Sequence, residues 1–183
     1  MQSSGPSVTI VVDNQAGAGL VGEHGLSMWI EADNLRILFD TGQGVALSSN
    51  VRALDVELSR TDFLVLSHGH YDHTGGLPLV LHNAPDARVY CHPGVAHPRY
   101  AIRNGEPKPI QMPHPSIAVI DKLPSERLCW IQKPLWLSAH IGITGPIPRR
   151  TDYEDTGGPF YLDPQSRRPD PIDDDQEIGR AHV

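Results

Sequence analysis

Apolar and polar positions follow two periods along the first ninety residues. VTIVVD (8–13) is a short β-branched run and predicts a buried strand. The glycine-rich stretch NQAGAGLVGEHG (14–25) predicts a loop. LSMWIEA and LRILFD, split by the turn-forming Asp33-Asn34, predict a β-hairpin. Over 47–58 the period changes. Leu47, Val51, Leu54 and Leu58 are spaced four, three and four, the signature of one apolar helix face. TDFLVLS is continuously apolar, as a strand covered on both faces should be. LPLVLHN then predicts a short helix, with Pro78 in its first turn and Pro85 past its end, and ARVYCH the next strand. Strand, helix, strand, helix, strand implies α/β layering. Beyond it the pattern loosens: 93–115 is proline-rich without sustained periodicity and predicts an irregular insertion. SIAVID, LCWIQ and LWLSAHIGIT predict further strands, and 145–176 an irregular connector. No internal repeat is visible.

Composition adds bounds. A chain of 183 residues suffices for one domain with a real core, and 17 prolines with 17 glycines exclude a simple helical bundle. No apolar run approaches the roughly 18 residues of a membrane span, and MQSSGPSVTI lacks the charged and apolar regions of a signal peptide, so no membrane partner is expected. Two cysteines, Cys91 and Cys129, lack C-x-x-C spacing; they read as small buried hydrophobes and favour a reducing, cytoplasmic setting. The net charge of −7 is unevenly placed, because residues 151–177 hold nine acids and two bases. That end predicts a solvated connector. The charge balance also argues against nucleic acid as a partner and leaves a small-molecule substrate as the expectation.

Residues 68–73 read His-Gly-His-Tyr-Asp-His directly after the strand 63–67. In a tight loop His68 and His70 can project toward one metal, while Asp72 and His73, displaced along the turn, can reach a second. Imidazole and carboxylate ligands suit Zn²⁺, with Mn²⁺ or Fe as alternatives, and an incomplete protein shell leaves a site for water. Gly69 lets the backbone bend between ligands, and Gly75-Gly76 does so before the helix. The bland alternative is a solvated histidine-rich loop. Asp40 ends the strand LRILFD at the neighbouring strand terminus. Alone such a residue is more often a turn former, yet beside the histidines it is placed to orient a ligand or to bind metal.

With these residues in view, the chain resembles the metallo-β-lactamase superfamily of metal-dependent hydrolases: LVLSHGHYDHTGGL is preceded by ILFDTG. EHGLSMWIE, ILFDTGQ, SHGHYDHTGGL and TGPIPRRTDYED are further similar to its branch of dihydropterin ribofuranosylaminobenzene-phosphate synthase-like proteins. The resemblance runs over about 8–176 and is most specific at 35–77. It implies an α/β fold, a four-layer αββα sandwich with a dinuclear site at one edge of its sheets. This chain would supply the N-terminal half and part of the crossover. Carried over residue by residue, His68 and His70 would hold one divalent ion and Asp72 and His73 the other, with Asp40 in support. The implied chemistry is hydrolysis of a small phosphorylated or ester substrate, in some way pterin-related, by a metal-activated water that Asp72 orients or deprotonates. A non-catalytic metal-binding or sensor module, and a nuclease of the same superfamily, are the alternatives.

The resemblance also implies further histidine ligands beyond Asp174-Asp175-Gln176, which this sequence does not contain. The expectation is a partial domain over 1–176. Residues 177–183, EIGRAHV, match the translation of a common sequencing-adapter read-through and are expected to be non-native. The remaining candidates are weaker. His24, in Glu23-His24-Gly25, fits the branch pattern and is a candidate substrate-binding residue, with a surface loop histidine as the equal alternative. His140 ends an apolar stretch and is expected to be structural. His92, His97 and His114 sit beside prolines as loop residues, and the acids at 173–175 read as a solvated turn. AGAGLVG lacks the strand and helix context of a dinucleotide site.

Overall fold

The computed structural model describes residues 5–151, 153–154 and 156–180. Ser7–Val12 (β1), Ser27–Ala32 (β2) and Leu35–Phe39 (β3) form an antiparallel meander. Asp33 and Asn34, at φ 53° and 60°, make the two-residue turn between β2 and β3, whose left-handed backbone conformation suits the right-handed twist of the paired strands. Leu47–Ala53 (α1) leads to Phe63–Val65 (β4), then to Tyr71–Thr74 (α2) and Leu77–Asn83 (α3), and so to Arg88–Cys91 (β5). The strands β3, β4 and β5 run parallel, and the six-stranded sheet takes its last strand from further along the chain.

The helix expected over 47–58 stops early. Asp55 adopts a left-handed φ of 56°, and Val56 N donates to Val51 O while Asp55 N donates toward Arg52 O. Those two bonds are a Schellman closure, which satisfies the last carbonyls and turns the chain before Leu58.

The irregular insertion expected over 93–115 is largely ordered. Tyr100–Arg103 (β6) and Glu106–Pro109 (β7) pair around Asn104-Gly105, at φ 54° and 80°. The Asn-Gly hairpin signal stands in the sequence, masked by its prolines. Pro107 and Pro109 are tolerated because β7 pairs on one side only. SIAVID is likewise not a strand: His114–Ile120 (α4) is a helix, started by Pro115 in its first turn, that turns Ile117 and Ile120 onto the core at i,i+3 spacing. The β-branched alternation in that segment imitated a strand.

Leu128–Trp130 (β8) closes the large sheet beside β5. Leu135–Trp136 (β9) and Ile141–Ile143 (β10) form a hairpin from the predicted LWLSAHIGIT, and Phe160–Tyr161 (β11) pairs with β6. Ile178–Arg180 (β12) pairs with β10; of the C-terminal segment read as non-native, 181–183 lie outside the described residues.

Apart from Arg36 and Arg88 near their N-terminal ends, the central strands are apolar because both sheet faces are covered. Leu38, Leu64, Leu66, Val89 and Cys91 face one cluster under α1, α3 and α4. The intervening Ile37, Phe39, Val65 and Tyr90 face another, built with Ile131, Ile141 and Ile143. Helices, large sheet and small sheet are thus three successive layers of the expected sandwich. Emptying a position such as Leu64, fully buried at 0% exposure, by substitution to Ala should cost about 2–5 kcal/mol. Among the described residues no helix is long and apolar enough to cross a membrane.

Candidate metal centre

The histidine motif lies where β4 leaves the sheet, beside the end of β3. Parallel pairing brings Phe39 level with Val65, so the residues that follow each strand, Asp40 and the segment from Leu66 onward, emerge side by side. Asp40 takes a left-handed φ of 58° and is fully buried. Its Oδ1 accepts the Ser67 N–H at 2.7 Å, and its Oδ2 accepts both the Ser67 hydroxyl at 2.7 Å and His73 Nδ1 at 2.7 Å. Asp40, expected to orient a ligand or to bind metal, therefore sits behind His73 with both oxygens committed.

This network fixes imidazole tautomers. The carboxylate can only accept, so His73 carries its proton on Nδ1 and turns Nε2 outward. The Ser67 hydroxyl spends its one proton on Asp40, so His68 Nδ1, 2.9 Å away, donates to it and likewise leaves Nε2 as a lone pair. The His68 ring lies 4.5 Å from that of His70 and 4.2 Å from that of His73, between ring centres. Sequence had suggested pairs; the structure gathers all three imidazoles, with His68 in the middle. Among the described residues, no group of three or more His, Cys, Asp or Glu side chains is arranged to close on an ion as it stands.

Their environments differ. Burial lowers His68 well below the usual imidazole range, helped by His73, His70 and Arg99. Burial also takes His70 down to about 3, with Arg99 and His73 adding repulsion. At His73 burial again pulls downward, but the hydrogen bond to Asp40 and the charges of Asp40, Asp72 and Asp175 outweigh it and raise the ring above its ordinary value. His68 and His70 are thus neutral bases at pH 7, the form a metal requires. His70 Nε2 is buried and has no hydrogen-bond partner. A buried, unpartnered ring nitrogen beside two imidazoles with outward Nε2 atoms fits a divalent ion.

Asp72, on α2, is 7% exposed. Its Oδ2 lies 3.9 Å from His73 Nε2 and 3.2 Å from Nε2 of the exposed His24. His24 is held in turn by Asn14 Oδ1, 3.0 Å from its Nδ1, and by Gln43 Nε2, which donates to its carbonyl at 2.6 Å. Its neighbour Glu23 accepts the backbone N–H groups of Gln43, Val45 and Ala46. His24 therefore lies beside Asp72.

Gly69 is required for space rather than for bending, since its φ is ordinary. A Cβ there would run into the Val95 carbonyl, and one at Gly75 into the Gln43 carbonyl.

His140 Nδ1 pairs with Asp33 Oδ2 at 2.9 Å at the opposite edge of the sheet, His92 caps the turn at Gly94, and His97 and His114 are exposed. Cys91 and Cys129 are free thiols, and burial pushes Cys91 up, which leaves it inert.

Sequence reasoning missed Ser67, although it directly precedes the motif. It also missed the far side of the loop. The acids at 151–177 were expected in solvent; instead Asp170 and Asp174 are buried against Arg99, and Gln176 is fully buried. Phe160 packs edge-on to the His70 ring, with centres 5.0 Å apart.

A family model described as the metallo-beta-lactamase superfamily matches residues 20–178. An uncharacterized protein of Methanocaldococcus jannaschii is 33% identical over 154 residues, covering 80% of this chain and 56% of that protein. The 7,8-dihydropterin-6-methyl-4-(beta-D-ribofuranosyl)-aminobenzene-5'-phosphate synthase of the same organism is 34% identical over 79 residues, 40% of this chain and 27% of the relative. This chain thus spans little more than half of the first relative and less of the second. Among solved structures, a metal-dependent hydrolase of the beta-lactamase superfamily superposes with a TM-score of 0.69 at 20% identity, over 93% of this chain and 59% of the other, a likeness of fold. Histidines after one parallel strand, an acid after its neighbour, the layered sheets and the matched family model lead to one statement: the chain belongs to the metallo-beta-lactamase superfamily.

Proposed function

We propose that this chain carries the ligand loop of a metal-dependent hydrolase acting on a small phosphorylated or ester substrate in a reducing, cytoplasmic compartment. The observation that carries the reading is His70 Nε2, buried without a partner between His68 and the ring of Phe160. His68 and His70 would hold one divalent ion and Asp72 and His73 a second, with Zn²⁺ the first choice for this nitrogen-rich donor set. When bound, such ions polarise a carbonyl or phosphoryl oxygen and bring the pKa of water toward about 7.

The protein's own part is positioning and proton handling. Asp40 and Ser67 hold His73 and His68 in the tautomers with outward Nε2 atoms. Asp72 Oδ2 is the carboxylate oxygen placed to orient water and to take its proton. His24 Nε2, 3.2 Å from that oxygen and open to solvent, is placed to receive the proton or to meet substrate. The partial match to the dihydropterin-type synthase makes a phosphorylated, pterin-related compound the first substrate class to try.

The test is Zn²⁺ retention after dialysis, in wild type and in His70→Ala, followed by phosphodiester, lactone and thioester probes with and without chelator. We expect wild type to retain metal, His70→Ala to lose it, and one probe class to be cleaved only when metal is present. A well-folded wild type that retains no metal would overturn the reading. Retention without turnover of any probe would favour the metal-binding module instead.

A further inference from the structure

The histidine loop is gripped from the side opposite Asp40 by residues about a hundred positions downstream, and this grip converges on the peptide between two ligands. Gly69 N donates to Asp174 Oδ2 at 2.8 Å. The other oxygen of Asp174 accepts from Arg99 Nη2 at 2.6 Å, and Arg99 Nε lies 3.4 Å from Asp170 Oδ2. All three side chains are at most 2% exposed. The same Nη2 reaches the Gly94 carbonyl at 3.5 Å, next to the Val95 carbonyl that walls the other side of Gly69. The guanidinium thereby ties together both walls of the slot in which the His68–His70 backbone lies. Two further bonds extend the grip. Gln176 N donates to Ser67 O at 3.1 Å, and Gln176 Nε2 to Leu66 O at 2.8 Å. From the other direction Ile110 N donates to Arg99 O, and Tyr71 N to Ile110 O, which carries the register of β6 and β7 into the residue after His70.

A buried ion pair is often neutral or costly for stability, so its presence here calls for another reason. We propose that Arg99 and Asp174 are positioning residues that set the separation and direction of the His68 and His70 imidazoles for metal. On this account the acidic segment is part of the centre's support. The inference rests on the metal reading above, and its test separates the two.

The experiment is Co²⁺ binding by the chain, followed by chelator competition and by the d–d absorption bands, with circular dichroism to establish folding. Asp174→Asn should weaken Co²⁺ about 10- to 100-fold and shift the bands, the range expected when an outer support of a ligand is lost. Arg99→Gln should do the same, and Arg99→Lys, which keeps the charge, should recover part of the affinity. Asp163→Asn is the reference. That buried acid caps the turn at Gln165, Arg167 and Arg168 and touches no part of the histidine loop. It should lower stability and leave affinity and bands unchanged.

A folded Asp174→Asn with wild-type affinity and bands would overturn the positioning role and leave the metal reading standing. Should Asp174→Asn not fold, Arg99→Lys decides, and wild-type affinity and bands there would overturn the proposal. A folded wild type that binds no Co²⁺ would bring down the metal reading and this inference with it.

Discussion

The histidine loop is held from two sides that differ in how far apart their residues lie in the chain. On the near side Asp40 and Ser67 reach His73 and His68 through hydrogen bonds of 2.7–2.9 Å, all within 33 positions. On the far side Asp174, itself bonded by Arg99, reaches Gly69, and Gln176 reaches Ser67 and Leu66, across as many as 110 positions. The near side touches imidazole nitrogens and fixes tautomers. The far-side hydrogen bonds of Asp174 and Gln176 meet only backbone and fix where the histidines start. Direct and indirect support of one site can thus be told apart by which atoms they contact, and each side should fail in its own way.

The largest expected effect lies on the far side. Arg99→Ala leaves two buried carboxylates uncompensated, and denaturant unfolding should show a loss of roughly 3–5 kcal/mol. A loss below about 1 kcal/mol would mean that the pair is relieved by rearrangement, which would break the comparison.

On the near side Asp40→Asn keeps the volume but removes the acceptor that His73 and Ser67 share. It should cost about 1–3 kcal/mol and weaken metal about 10- to 100-fold, measured by chelator competition. Ser67→Ala should be milder, about 1 kcal/mol, because Asp40 keeps its bond to His73. It frees the His68 tautomer, so its loss in metal affinity should exceed what its stability loss would suggest.

The smallest effect belongs to neither side. Asp33, remote from the loop, is held below its ordinary value of 3.8 by hydrogen bonds from Ser138 and His140. A depressed carboxyl stabilises the fold above its unfolded pKa, and that contribution disappears as pH falls through the folded pKa. Melting curves of Ser138→Ala should therefore fall below wild type near about pH 6 and rejoin it as pH falls below the ordinary value of 3.8, with metal affinity unchanged throughout.

The same division governs what could be read in advance. The strands β1 to β5, the helix α3 and the clustering of His68, His70, Asp72 and His73 were legible because each is a local pattern: alternating apolar residues, a proline in a first turn, four donors in six positions. Asp40 was legible for the same reason, since parallel neighbours expose consecutive strand ends. Arg99 carries no local signal at all. Asp174 sat in an acidic run whose composition matches solvated chain, and only the fold shows that it meets an arginine 75 positions earlier. The β6–β7 hairpin was hidden differently, by prolines that an edge strand accommodates. The helix α4 was hidden by β-branched residues whose propensity yields to packing of Ile117 and Ile120 on the core.

The most direct test of the central claim is an anomalous-difference map from crystals of the chain grown with Zn²⁺. The account predicts density about 2.0–2.1 Å from Nε2 of His68 and His70, and a second peak between His73 and Asp72. An ordered histidine loop with no anomalous peak against it, in crystals holding Zn²⁺ elsewhere, would contradict the account.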